Sequence, residues 1–420
     1  MVVMLIGRGS PAAAAGAADF DTVPDRPPAQ LLPATLVSGE SFHVVDPVHG
    51  DGLMNRFVLE SRYGRFDAYG RVALAKRVGE VKALDELART SQIEIVAGGV
   101  EHGIESQVKT AVAVVTHPVS TVTGIPKGIA HLFNGYTAEG QEALTSAHGI
   151  AGSAESGSYS ARTEVQKGEE AAKQYAARYL GVTKAERGWY RRLGVDPYTD
   201  NTVLRDAIRK AAKTEAVGSF GAKFLDLPAI PGIAITQRAV DAIYNEDPAA
   251  LRVRLRKTLA GYGLSAGEIE GWLNAPVISP TRQVLLLSAA EELKGVAGRA
   301  ELFRHSLDLT SDAEAQVYLL SAGLLVKAHG ANPLKDMIPG VRLPAGEHSD
   351  GSLVVCGAFE AVYWTEEVAR LEEQLQRSLP PQPPDAGREL WLAGTLSEQA
   401  RSALKDRGWT LHEIGAPGSR

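Results

Sequence analysis

The stretch FHVVDPVHGDG, Phe42 to Gly52, places His43, Asp46, His49 and Asp51 within nine positions. Imidazole nitrogens and carboxylate oxygens are ligands that divalent metals take, provided they converge on one point. In an extended chain residues two apart share a face, so His49 and Asp51 point together, whereas His43 and Asp46, three apart, face opposite ways. A break at Pro47 could bring all four together, and a divalent metal held there would suit metal-assisted hydrolysis. The plainer reading is a loop. Asp46-Pro47 opens one turn, Gly50-Asp51-Gly52 makes a second, and both histidines lie at the surface. No HExxH or similar helical spacing backs a metal site, so the expectation is a protein without a cofactor.

Three other signals are weaker still. In SQVK, Ser106 and Lys109 would share one helix face, and a desolvated Lys can activate a Ser nucleophile. The S-D-N and K-T-G partners that accompany S-x-x-K in penicillin-recognising enzymes are absent, which favours a solvated polar face. In TGIPKG, Gly124, Lys127 and Gly128 precede a helix and could cradle an anion through backbone N–H groups. The full P-loop pattern is missing, and so is any G-x-S-x-G elbow. Cys356 is the only cysteine, so an intramolecular disulfide and cysteine-based zinc or iron–sulfur sites are excluded. Its apolar setting, LVVCGAF, marks a small buried hydrophobe rather than a reactive thiolate.

These residues sit in a chain of 420, long enough for two or three domains. Forty-four basic residues against fifty acidic ones give a net charge of −6. No run of Lys and Arg interleaves with aromatics, so neither nucleic acid nor an anionic membrane surface has an electrostatic footprint here. At the N-terminus the apolar run Val2 to Ile6 is too short to span a membrane. AAAAGAADF has the small-residue character of a signal-peptidase site, although a positive n-region and most of an h-region are missing. The expectation is export to the periplasm or beyond, with an Ala-rich cytoplasmic tail as the alternative.

Periodicity then sets the elements. NRFVLESRYGRFDAYG alternates as a β-hairpin turning at Tyr63-Gly64. From Arg71 the period becomes helical, with Leu74, Val78, Val81, Leu84 and Ala88 on one stripe. A second helix is expected from Ile93 to Val115, then a loop and a short amphipathic helix ending near Phe133. The stretch Val119 to Phe133 is also the one candidate for peripheral membrane contact. A Ser/Gly/Ala-rich segment, 146–162, reads as a linker. Beyond it, Asp200 or Asn201 can cap one helix, Ser265 and Glu268 have capping-box spacing, and SPTRQVLLLSAAEEL and SDAEAQVYLLSAGLLVKAHG are apolar around most of their circumference. The last part alternates strand and helix, with Thr395 and Glu398 spaced as a capping box and Gly408 placed as a helix stop.

The stretches DGLMNRFVLESRYGRFDAYG, RVALAKRVGEVKALDELARTS, GVDPYTDN and LWLAGTLSEQARSALKDRGW together resemble an exported bacterial protein group. The resemblance implies export and one integrated architecture; it carries no catalytic residue across.

The expected fold is therefore α+β and predominantly helical: an N-terminal β-hairpin with helices, a central helical bundle and a small C-terminal α/β module. The expected division is a leader at 1–37, a hairpin-plus-helix unit at 38–145, the linker at 146–162, a helical core at 163–335 and the α/β module at 336–420. The expected function is an exported, cell-envelope binding or scaffold protein, whose partner is an envelope protein or a small ligand. The alternative is a metal-assisted hydrolase using His43, Asp46, His49 and Asp51.

Overall fold

The computed structural model describes residues 20–90, 124–135, 170–214, 233, 235–383 and 386–415. The expected helix Ile93 to Val115, the linker at 146–162 and the Ala-rich part of the leader lie outside them.

Strand β3 (Asn55–Ser61) alternates buried and half-buried residues, with Phe57 and Leu59 facing in. It pairs antiparallel with β4 (Gly64–Tyr69), Ser61 opposite Gly64, through a two-residue turn at Arg62-Tyr63. Gly64 leaves that turn at φ +129°, a conformation that glycine adopts without steric penalty. Strands β1 (Phe42–Val44) and β2 (His49–Gly50) line the other edge of β3. A 20-residue helix, Arg71–Thr90, covers the hairpin with Leu74, Val78, Val81, Leu84 and Leu87 buried. The expected stripe holds up to Leu84; Ala88 is exposed and Leu87 takes the last core position. Each fully buried leucine or valine contributes about 1.5–3 kcal/mol.

Before this unit come two short helices, α1 (Pro28–Leu31) and α2 (Ala34–Val37); the long hairpin helix is α3. Residues 20–37, which fall inside the segment expected as a leader, thus carry these two helices. Next in order are α4 (Lys127–His131), a π-helical turn Ala176–Leu180, α5 (Lys184–Leu193), α6 (Thr202–Thr214), α7 (Gln237–Tyr244), α8 (Pro248–Gly261), α9 (Ala266–Leu273), α10 (Pro280–Glu292), α11 (Glu301–Ser306) and α12 (Asp312–Ala331). Their ends follow from side chains that satisfy free backbone donors. Ser265 and Glu268 form the capping box expected of α9, and Thr183 with Glu186 forms another at α5. Asn201 Oδ1 accepts the Leu204 N–H at 3.1 Å and so caps α6, which leaves Asp200 free for another role. Helices α10 and α12 are buried around most of their surface, as their apolar sequences require. Trp272 and Phe303, ring centroids 5.4 Å apart edge to face, fill the space between α9 and α11.

The C-terminal part is a five-stranded sheet in the order β11-β9-β7-β6-β5. Strands β5 (Leu334–Met337), β6 (Ala345–His348) and β7 (Leu353–Gly357) run antiparallel; β9 (Arg388–Leu392) and β11 (Trp409–Glu413) extend β7 in parallel. Helices α13 (Glu366–Ser378) and α14 (Glu398–Asp406) make the two crossovers, as parallel neighbours need. The short pair β8 (Ala361–Val362) and β10 (Thr395–Leu396) stands beside them. Ser397 rather than Thr395 caps α14, accepting the Ala400 N–H at 2.9 Å, because Thr395 is taken up in β10. Every residue of β7 is buried, with α12 packed along it.

The hairpin unit and the C-terminal module are joined directly. Leu53 O accepts the N–H groups of Glu360 and Ala361 at 3.0 and 3.2 Å, and Gly52 O accepts that of Tyr363 at 2.9 Å. The Glu360 carboxylate receives Asn55 Nδ2 at 3.2 Å and the Arg71 N–H. Asp21 exchanges backbone and side-chain hydrogen bonds with Trp364 at 2.9 and 2.6 Å. No helix among the described residues is long and apolar enough to cross a membrane.

Candidate functional site

A recess of ≈ 70 Å³ opens where α3, the π-helical turn, the loop after α5, and the N-terminal turns of α10 and α12 meet. By that measure a single water needs about 10–15 Å³, so the space suits roughly half a dozen heavy atoms. Its wall includes Lys76, Gly79 and Glu80 from α3, Arg178 and Tyr179 from the π-helical turn, and Asp196, Tyr198 and Asp200 from the loop. Thr281 and Arg282 of α10 and Asp312 and Gln316 of α12 complete the polar part.

Local rules explain how the loop holds its shape. Gly194 ends α5 in the left-handed region, φ +72°, as helix stops favour. Asp196 Oδ1 accepts the Tyr198 N–H at 3.0 Å, a side-chain turn typical of Asp before Pro, and also the Thr281 hydroxyl at 2.7 Å. Thr199 donates its hydroxyl to Glu80, while its oxygen accepts the Asn201 N–H at 3.1 Å. One carboxylate on α3 thereby anchors the loop and the cap of α6.

Around the recess the charges form a connected set. Asp200 accepts Lys76 Nζ at 2.9 Å and both guanidinium nitrogens of Arg77. Arg77 Nη1 also donates to Glu80 Oε2 at 2.9 Å. Arg282 grips Asp312 with two bonds of 2.8 and 2.9 Å. Burial disfavours the charged form of Asp200, but Lys76 and Arg77 outweigh it and hold the carboxyl far below its ordinary range. Burial likewise lowers the pKa of Lys76, and the Asp200 and Glu80 charges more than restore it. Burial also raises Asp312, and the Arg282 fork overcomes that in turn. Tyr179 is pushed up to about 12 by burial, so its hydroxyl stays protonated and donates to Pro276 O at 3.0 Å.

The recess escapes a linear reading because its wall comes from segments as far apart as Lys76 and Asp312. Its one local signal is GVDPYTDN, two Asp residues around a Pro and a Tyr between two capped helices, a pattern equally suited to a turn.

The four metal candidates have separate surroundings. His43 projects from β1 into solvent, 3.5 Å from Glu60 Oε2. His49 Nδ1 lies 2.7 Å from Asp25 Oδ1. Asp46 is exposed ahead of a cis bond to Pro47. Asp51 is buried, and its Oδ1 accepts the N–H groups of Leu53 and Met54 at 3.0 and 2.9 Å while Oδ2 accepts the Tyr69 hydroxyl at 2.7 Å. Among the described residues no group of three or more His, Cys, Asp or Glu side chains could hold a metal ion. Asp51 acts as the peg of the loop, the structural job of a turn aspartate.

At the anion candidate, Gly124, Lys127 and Gly128, the helix that follows is only five residues long. A carboxylate of the protein already stands there, since Ile125 N donates to Glu367 Oε2 at 3.2 Å. The carbonyl of Gly124 accepts from Arg56, and Lys127 is exposed. Within the described part of the stretch proposed for membrane contact, Val119 to Phe133, the large apolar residues Ile125, Ile129, Leu132 and Phe133 are buried, and Phe133 stacks on Phe359 at 5.3 Å. Cys356 is fully buried, and burial pushes its thiol well up, away from the nucleophilic thiolate. Ser106 and Lys109 lie outside the described residues.

Comparison with protein-family models, with curated proteins and with solved structures finds no match for the chain.

Proposed function

We propose that the protein is an exported binding protein that holds a small polar molecule in the recess between α3 and the helical core. The observation that carries this reading is Gly79. It sits in the interior of α3, where glycine is less stable than alanine by roughly 0.5–1 kcal/mol. A Cβ built there would meet nothing within 4 Å, so packing does not demand glycine. Gly79 lines the recess, so the missing side chain leaves that part of the wall open.

Two substitutions test this together. Gly79→Ala should raise stability by about 0.5–1 kcal/mol in urea unfolding, because it adds helix propensity at an uncrowded position. Gly79→Leu should fold as well as the parent yet fill the recess, and abolish the thermal shift produced by whichever small polar compound binds the parent. Undiminished binding by the leucine variant would place the ligand elsewhere and end the reading.

Export rests on the leader's order of apolar run, small residues, then Pro and Asp. Fractionation of the native host should find the chain in the envelope or medium; recovery in the cytosol alone would remove that half of the proposal.

A further inference from the structure

We propose that the ligand of the recess is a small zwitterion of the amino-acid class, with its carboxylate on Arg178 and its ammonium on Asp196. The inference rests on the recess being a binding site, and it follows from which charges the protein leaves over. Asp200 is shared by Lys76 and Arg77, Glu80 is held by Arg77, and Asp312 is held by Arg282. Arg178 stands apart. Its guanidinium lies over the ring of Tyr179, 5.2 Å from the centroid, and has no hydrogen-bond or carboxylate partner among the described residues. Asp196 commits Oδ1 to the Tyr198 N–H and the Thr281 hydroxyl. Its Oδ2 accepts no hydrogen bond among the described residues.

One cation and one anion therefore line the same small space with unused capacity. The guanidinium fork matches a carboxylate through two parallel N–H···O bonds, a geometry no neutral oxygen reproduces. A half-buried carboxylate oxygen matches an ammonium. Both side chains are half-buried, so a ligand with only one charge would satisfy one side and leave the other screened from water without a partner, which costs binding energy. Tyr198 adds an independent sign of an absent partner: it lines the recess, is 3% exposed, and its hydroxyl has no hydrogen-bond partner among the described residues. The volume of ≈ 70 Å³ limits the compound to the size of the smallest amino acids.

The experiment is isothermal titration calorimetry of the full chain against glycine, β-alanine, γ-aminobutyrate, acetate, methylammonium and glycerol. At least one of the three zwitterions should bind ten times more tightly than acetate or methylammonium, the separation of its charges reporting the span between Arg178 and Asp196. Arg178→Gln, which removes no contact to the loop, should weaken that zwitterion at least tenfold and leave the melting temperature within a few degrees. Asp196→Asn should weaken it similarly, and Arg178→Gln decides the matter if the asparagine disturbs the loop. Acetate binding as tightly as the zwitterions, glycerol binding in their place, or zwitterion binding untouched by Arg178→Gln would overturn the charge assignment while the recess stayed a site. Binding by none of the six, with parent and Gly79→Leu indistinguishable, would overturn the site and the assignment together.

Discussion

Replacing Glu80 with alanine is expected to destabilise the fold by about 3–5 kcal/mol, the usual loss when one member of a buried charge network is removed. The Glu80 side chain is 1% exposed. It accepts Arg77 Nη1 at 2.9 Å, Asn201 Nδ2 at 3.1 Å and the Thr199 hydroxyl. Alanine would leave two neutral donors without a partner and deprive Arg77 of one of its two carboxylates, all in a place that water reaches poorly. Glu80→Gln keeps the volume and one acceptor and should lose markedly less. Urea denaturation checks both: the midpoint should move with the slope unchanged. A loss under 1 kcal/mol for the alanine variant would mean that the loop and α6 do not depend on this carboxylate.

Acid should unfold the protein at and below about pH 4. Asp200, Asp312, Glu268 and Glu301 all titrate below their ordinary values of 3.8 for Asp and 4.5 for Glu, since basic partners outweigh the burial that would raise them. A depressed folded-state pKa means stability that is present above the unfolded value and lost as pH falls through the folded one. Glu360 runs the other way. Burial raises its pKa, so its contribution is full at low pH and lost as pH rises through the folded value. The exposed Asp350 is lowered too, by its hydrogen bonds to Ser352, so among the described residues five depressed carboxylates against one raised make the net direction acid destabilisation. Melting temperature should stay level from pH 7 to 5 and then fall. A maximum below pH 4 would contradict the ion-pair assignments around the recess.

Much of the fold is legible because its signals are local and periodic. Alternation in NRFVLE gives β3, the three-to-four spacing from Leu74 to Leu84 gives α3, and the Ser265–Glu268 step marks the start of α9. Where two local signals compete, reading falters. Thr395 has capping-box spacing with Glu398, yet it belongs to β10, and the adjacent Ser397 takes the cap. The FHVVDPVHGDG stretch shows the converse. Metal-type residues crowd in sequence, but Asp51 turns inward to Leu53, Met54 and Tyr69 while His49 turns out to Asp25. The recess is opaque for a third reason. Ion pairs have no period, and the bond between Arg77 and Asp200 joins positions 123 residues apart. Only a fold brings Arg178, Asp196 and Lys76 to one wall.

The bonds between Asp21 and Trp364 and between Asp21 and Ser397 span 343 and 376 positions. At ribosomal speeds of about 5–20 residues per second, Asp21 emerges on the order of 20–70 s before its partners exist. The hairpin unit therefore waits with the Leu53 carbonyl and the Asn55 amide unmatched until nearly the whole chain has been made. Its closure onto the C-terminal module is therefore a late event.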